Sequence, residues 1–269
     1  MHIAVLLAGV ADPRKPLPKP ASNDWRDLPA ATTVSYKLSP FDEAALEIAL
    51  KLRDQTAASR VTALVTDGAN DIALLRAVAA LKPDEVIGLY PPPTQHGNPA
   101  WLARHLRTEL CKNDTWPDLV LIGREHGDLD DGMVASYLAD AWQLPFAGQA
   151  LSVTAGPEGG WTLLRSGARD DESLRLPAPA FASISNDKSN RLRHPLMKNV
   201  ALAKQMKFAQ ITPEAAAPAP ITVLVDAALP PVAIRGEQSC RMLSGSVQEQ
   251  AIALAAYLRS PLASENHHV

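Results

Sequence analysis

DLVLIGREHGDLDDGMVASYLADAWQLP, residues 118–145, decides the fold class. Asp118 to Gly123 is a short apolar run ended by glycine, the pattern of a strand buried on both faces. Gly132 to Gln143 has the spacing of a helix. The polar loop between them is punctuated by Gly123, Gly127 and Gly132. A strand that enters a helix through such a loop is the repeating unit of a parallel sheet. In parallel sheets, ligands gather beyond the carboxyl ends of the strands.

The same alternation extends upstream. Ile3 to Leu7, Val61 to Val65 and Glu85 to Tyr90 are further strand candidates. Ser39 can cap a helix, Pro40 suits its first position, and Asp42 and Glu43 put negative charge in its first turn. Ala45, Ile48, Ala49 and Leu52 then form an amphipathic stripe. NDIALLRAVAAL, with Asn70 as the expected cap, and WLARHLRTEL are the next helices. The expectation is an α/β fold: a mostly parallel sheet with helices on both faces.

Downstream, QALSVT, GWTLLRS and ESLRL predict strands joined by Gly/Asp-rich turns, a β-hairpin insertion. AFASIS (180–185) is expected to return to the sheet. Residues 11–35 read as a long polar loop, and residues 186–210 as basic and hardly periodic. A proline-rich stretch (213–221), the strand candidate ITVLVDAAL and the helix VQEQAIALAAYLR follow. The expected organisation is an α/β domain over residues 1–210, with the basic segment at about 188–207 near its end. A proline-rich linker and C-terminal arm would occupy residues 211–269.

Among the 269 residues the net charge is −3 and the pI near 6.2, so no basic excess points to nucleic acid or to an anionic membrane. The apolar run in MHIAVLLAGVADPRK is too short for a signal peptide, and no run approaches the roughly 20 residues of a membrane span. A cytoplasmic protein without membrane insertion is expected. Cys111 and Cys240 are far apart in sequence and belong to no CxxC pair, so neither a zinc site nor a disulfide framework is predicted.

The most pointed chemistry lies in residues 123–132. Their place is that of a nucleotide loop, yet they match neither a Walker A sequence nor GxGxxG. On spacing alone they read first as an ordinary strand–helix connection. Glu125, Asp128, Asp130 and Asp131 oppose a phosphate unless Arg124 and the helix dipole outweigh them. Such a run also fits a metal site or a solvated helix start. His126 and His194 have no nucleophile in a matching arrangement and read as non-catalytic. KSNRLRHPLMKNVALAKQMK (188–207) interleaves basic and apolar residues. A basic surface loop and a docking element for an acidic partner both remain open.

Three stretches carry a family resemblance: LSPFDEAALEIALKLRD (38–54), the quoted segment 118–145, and LPAPAFASISNDKSNRLRHPLMKNVALAKQMK (176–207). In this order and spacing they resemble the β subunit of the electron transfer flavoproteins, from residue 1 to about 260. The resemblance implies an adenine nucleotide α-hydrolase-like fold and a heterodimer with an α subunit that holds most of a shared FAD. It also implies AMP as a structural ligand of the β subunit. Electrons would come from a flavin dehydrogenase and pass to a membrane quinone reductase.

By position, Leu6, Ser39, Thr66, Gly123, Arg124, His126, Gly127, Asp128, Leu129, Asp130, Gly132 and Val134 match the nucleotide-contacting stations. Phe41 matches the aromatic residue near the flavin edge. Met197 matches the leucine anchor of the recognition loop, with Arg193, Asn199 and Val200 around it. The family's asparagine before Pro-Phe is Ser39 here, its loop asparagine and threonine are Gly132 and Val134, and its N-terminal Lys-Arg pair is Ala8-Gly9. Valine lacks the threonine hydroxyl, so AMP is expected to be weak or absent. Gly132→Asn with Val134→Thr is expected to restore it. Two other functions share this fold: a structural nucleotide-binding protein, which needs a phosphate cradle, and a clamp subunit that has lost AMP.

Overall fold

Strand β1 (His2–Leu7) is apolar on both faces, and alternate side chains enter different cores. Ile3, Val5 and Leu7 pack on one side, Ala4 and Leu6 on the other. That is the period-2 rule applied to a strand covered from both sides. The computed structural model describes residues 1–15, 34–56, 59–91, 98–111, 115–128, 130, 132–156, 159–213 and 242–259. The strand candidate 221–229, Cys240, Leu129 and Asp131 lie outside them.

After β1, a short antiparallel pair forms from β2 (Val10–Ala11) and β3 (Tyr36–Lys37). Helix α1 (Pro40–Gln55) follows, then β4 (Arg60–Val65), α2 (Ile72–Ala80), β5 (Glu85–Leu89), α3 (Pro99–Leu110), β6 (Leu119–Gly123) and α4 (Met133–Trp142). These are the βα units expected from the sequence. Strand β7 (Phe146–Ala150) leads into β8 (Ser152–Ala155), β9 (Trp161–Ser166) and β10 (Asp171–Leu176), a separate three-stranded antiparallel sheet. Strand β11 (Ala180–Ile184) returns to the main sheet, followed by α5 (Met197–Ala203) and β12 (Ala209–Ile211).

The main sheet has the order β12-β5-β4-β1-β6-β11-β7, and its described pairings are parallel. Leu6 of β1 stands in register with Leu64 on one side and Ile122 on the other. Helices α1 and α2 cover one face and α3 and α4 the other. Fully buried leucines such as Leu50, Leu75 and Leu106 each contribute about 1.5–3 kcal/mol. Two buried tryptophans find partners for their polar ends: Trp142 Nε1 donates to the Ala103 carbonyl (2.8 Å) and Trp161 Nε1 to that of Asp118 (2.9 Å).

Three details differ from the sequence reading. QALSVT is not one strand: it breaks at Leu151, between the end of β7 at Ala150 and the start of β8 at Ser152, so its start closes the main sheet and its end opens the hairpin insertion. Residues 186–210 hold a helix and an edge strand. Helix α5 is a short element packed against α2, and the three residues of β12 form a strand only because the β5 edge accepts them. Both are products of tertiary contact, which propensity does not report.

Contacts divide the chain into two compact units, residues 1–219 and 220–269. The second holds α6 (Val247–Leu258), started by a capping box of Ser246 and Glu249. No residue of α6 is buried; Val247, Ile252, Tyr257 and Leu258 are exposed.

Candidate functional site

The carboxyl ends of β1, β4 and β6 lie side by side in the middle of the sheet, and the loops leaving them form the candidate site. Each loop uses a carboxylate of the chain to satisfy its own backbone amides. At the start of α1, Ser39 Oγ accepts the Asp42 N–H (3.0 Å). Asp42 Oδ2 in turn accepts the N–H groups of Ser39 (3.2 Å) and Gly9 (3.3 Å). Asp42 is fully buried, its Oδ1 has no hydrogen-bond partner among the described residues, and burial pushes its carboxyl up to about 6. Asp71, and not the expected Asn70, caps α2, and it also accepts the N–H of Tyr36.

The loop after β6 repeats the device more completely. Gly132, at φ +97°, turns the chain into α4 and supplies no side-chain cap. Asp130 supplies it from two residues upstream. Its Oδ1 accepts the N–H groups of Gly132 (2.8 Å), Met133 (2.9 Å) and Val134 (3.2 Å). Its Oδ2 accepts the N–H of His126 (2.7 Å). The donors with which a helix start binds an anion are therefore already engaged.

His126 is 1% exposed, with Nε2 3.0 Å from Thr66 Oγ1. Its Nδ1 is buried without a partner among the described residues, and burial lowers the ring to about 4, which favours the neutral form. Gly127, at φ +87°, lets the loop close on β4: a Cβ there would lie 2.8 Å from Asp67 Oδ2. Asp67 itself is pushed up to about 7, first by burial and then by the charges of Asp128 and Asp42. Asp128 accepts the N–H of Ala11 (2.8 Å). Arg124 is held by Glu125 (2.6 Å) and lies over the Phe41 ring, 4.4 Å from its centroid.

Leu6 and Val134, matched by position to nucleotide contacts, turn their side chains into the apolar core under α3 and α4. A phosphate brought to this edge would meet engaged amides and the carboxylates of Asp42, Asp67, Asp128 and Asp130. The residues present do not fit AMP at this position. Among the described residues no group of three or more His, Cys, Asp and Glu is placed to hold a metal ion. Beside the loop, a cavity of about 460 Å³ is lined by Arg124, Glu125, Ser136, Phe146, Gln149 and Ser183.

The docking segment is built differently. Met197, the first residue of α5, is 82% exposed, with Leu196, Leu202 and Met206 also exposed near it. Lys198, Lys204 and Lys207 are exposed around them. Val200 instead packs against the core, and Asn199 donates its N–H to the Leu196 carbonyl. Arg193 is engaged with the buried Glu47 in a two-pronged ion pair (Nε and Nη2, both 3.0 Å to its oxygens) and with Asp54 (2.6 Å). It anchors the segment to α1.

Sequence reasoning missed Asp42, Asp67 and Glu47 as site residues, and missed the capping role of Asp130. An Asp two residues before a glycine and a helical run was the available signal for the last. Glu47, lying between stripe positions of α1, was the signal for a buried partner.

Comparison with known proteins agrees with this frame. Residues 29–216 match the electron transfer flavoprotein domain. The mitochondrial electron transfer flavoprotein subunit beta of Oryza sativa subsp. japonica is 29% identical over 193 residues, covering 70% of this chain and 74% of the relative. The human electron transfer flavoprotein subunit beta is 28% identical over 191 residues, covering 67% and 70%. That of Dictyostelium discoideum is 24% identical over 182 residues. With its parallel sheet, its loop after β6 and a family match over most of its length, the chain belongs to the electron transfer flavoprotein β subunit family.

Proposed function

We propose that this chain is the β half of a heterodimeric electron transfer flavoprotein. An α subunit holds most of a shared FAD, with Phe41 near the flavin edge. Electrons arrive from a flavin dehydrogenase and leave to a membrane quinone reductase, and the β chain is a carrier subunit without catalytic residues of its own. The observation that carries this is family membership over residues 29–216, joined to the exposed Met197 on a segment fixed by Arg193. An exposed methionine suits an adaptable protein contact, and the lysines around it suit an acidic partner. The C-terminal arm, with its exposed apolar helix α6, would pack on the α subunit. Among the described residues no helix is long and apolar enough to cross a membrane. We assign the chain to the cytoplasm, although the rice relatives are named mitochondrial.

Co-expression with an α subunit tests this proposal. The pair should purify together with stoichiometric FAD, while the chain alone shows no flavin absorbance. Flavin bound by the isolated chain, or a pair without flavin, would refute it.

A further inference from the structure

We propose that the nucleotide station of this subunit is closed by its own chain: the carboxylate of Asp130 occupies the anion site at the start of α4 that a nucleotide phosphate would need. This rests on the family membership and goes beyond the electron-carrier role, which requires no nucleotide in the β subunit.

Three independent observations converge. First, one carboxylate serves four amides, those of His126, Gly132, Met133 and Val134, at 2.7–3.2 Å. A phosphate at the same place would use the same donors. The carboxylate is tethered two residues away, so it holds them without the entropy loss of a free ligand. Second, the crevice behind the loop is filled. The His126 ring is buried against Thr66, and at Gly127, φ +87°, the loop comes so close to Asp67 that a Cβ would lie 2.8 Å from its Oδ2 and force a shift. Third, the field is wrong for a dianion. The Asp128 carboxylate holds the Ala11 amide beside the loop, and Arg124, a cation near the site, is held by Glu125 and Phe41. The neutral His126 ring adds no positive charge.

The test uses the full-length chain and needs no partner. Wild-type protein, denatured and assayed by mass spectrometry, should release no AMP. In titration calorimetry AMP should bind poorly, and its melting temperature should respond alike to low-millimolar phosphate and to chloride of matched ionic strength. Asp130→Ala removes the internal anion. It should melt several degrees lower, recover part of that loss in phosphate or AMP but not in chloride, and bind AMP at least tenfold more tightly than wild type. Should Asp130→Ala fail to fold, Asp130→Asn keeps a capping oxygen without the charge. It should fold and bind AMP more tightly than wild type. Stoichiometric AMP in the wild type overturns the proposal, and so does a variant that gains neither binding nor anion-specific stabilisation. No step of the test measures electron transfer. Its failure therefore leaves the carrier role standing, and a failure to assemble FAD with an α subunit leaves this inference standing.

Discussion

The loop at residues 124–134 and the segment at residues 191–207 both run from the sheet into a helix, and they treat their functional groups in opposite ways. The first turns polar groups inward: Asp130 caps α4, His126 is buried, and Arg124 is paired. The second turns one cation inward, Arg193 onto Glu47, and by that anchor holds Leu196 and Met197 out in solvent. A loop whose helix-start amides are engaged by its own carboxylate leaves those donors unavailable to an anion. A segment with exposed apolar groups on a fixed base is prepared for a protein. The same contrast separates residues matched to one family motif: Met197 faces outward while Val200 and Arg193 serve the fold.

If Arg193 is the fixed base, removing it should have a large effect. Arg193→Ala leaves the Glu47 carboxylate, 4% exposed, without its partner. Breaking a fully buried pair costs roughly 3–5 kcal/mol; because a third of the Arg193 side chain is exposed, about 2 kcal/mol is expected here. For a domain of this size that lowers the melting temperature by about 4–8 °C. Glu47→Gln should cost less than Arg193→Ala, because it removes the buried charge instead of orphaning it. Equal melting temperatures for Arg193→Ala and wild type would show that the ion pair does not hold the segment.

Met197→Ala should leave the fold alone and act only on the partner. Truncating an interface anchor costs roughly 1–2 kcal/mol, so electron transfer from the cognate dehydrogenase should slow about five- to thirtyfold at sub-saturating concentration. The melting temperature should move by about 1 °C or less, as for other exposed sites. Added salt should slow the wild type through the surrounding lysines. A clear drop in melting temperature with unchanged transfer would reverse the contrast and make Met197 part of the core.

The inward-facing loop predicts a pH signature. Asp67 and Asp42 have folded values near 7 and 6, above their ordinary value of 3.8. The folded state therefore binds their protons more tightly than the unfolded chain. Their contribution is complete below pH 4 and is lost as the pH rises through 6 to 7. His126, lowered from 6.5 to about 4, acts in the opposite sense: its contribution is present above pH 6.5 and is lost as the pH falls toward 4. Asp67→Asn removes one of the two carboxyl contributions. In urea melts it should gain on wild type as the pH is raised from 4 to 8, by up to about 4 kcal/mol for the full shift from 3.8 to about 7. A variant that tracks wild type across this range would show that Asp67 is not titrating in the folded state.

Much of the fold was legible because its signals are local. Apolar runs at Ile3–Leu7, Val61–Val65, Glu85–Leu89 and Leu119–Gly123, with Ser39 and Pro40 opening α1, needed no knowledge of distant residues. β7 was not legible as a separate strand, because FAGQA carries no β-branched residue and holds a left-handed Gln149 within it. β12 and α5 exist through contacts with β5 and α2. At the site, the positions could be read, but not which way each side chain faces. Composition marked Glu125, Asp128 and Asp130 as repulsive surface charge. In the fold they are partners: Glu125 of Arg124, Asp128 of the Ala11 amide, and Asp130 of a helix start.

The smallest expected effect is the most pointed test of that lesson. From sequence, Gly132→Asn with Val134→Thr should restore nucleotide binding by returning two side-chain donors. The structure removes the basis for that expectation. Val134 is 4% exposed and packs in the core beneath α3 and α4, so a threonine hydroxyl there would face apolar neighbours and not a phosphate. Gly132 stands at φ +97°, where asparagine is tolerated at some cost, and the adjacent amides remain bound to Asp130. The double variant should therefore bind AMP no better than wild type and be destabilised by about 1–3 kcal/mol, through a buried unpaired hydroxyl and a less permissive backbone. Only when combined with Asp130→Ala should its AMP affinity rise. If the double variant alone acquires AMP, side-chain donors and not the internal carboxylate control this site, and the inward-facing description of the loop is wrong.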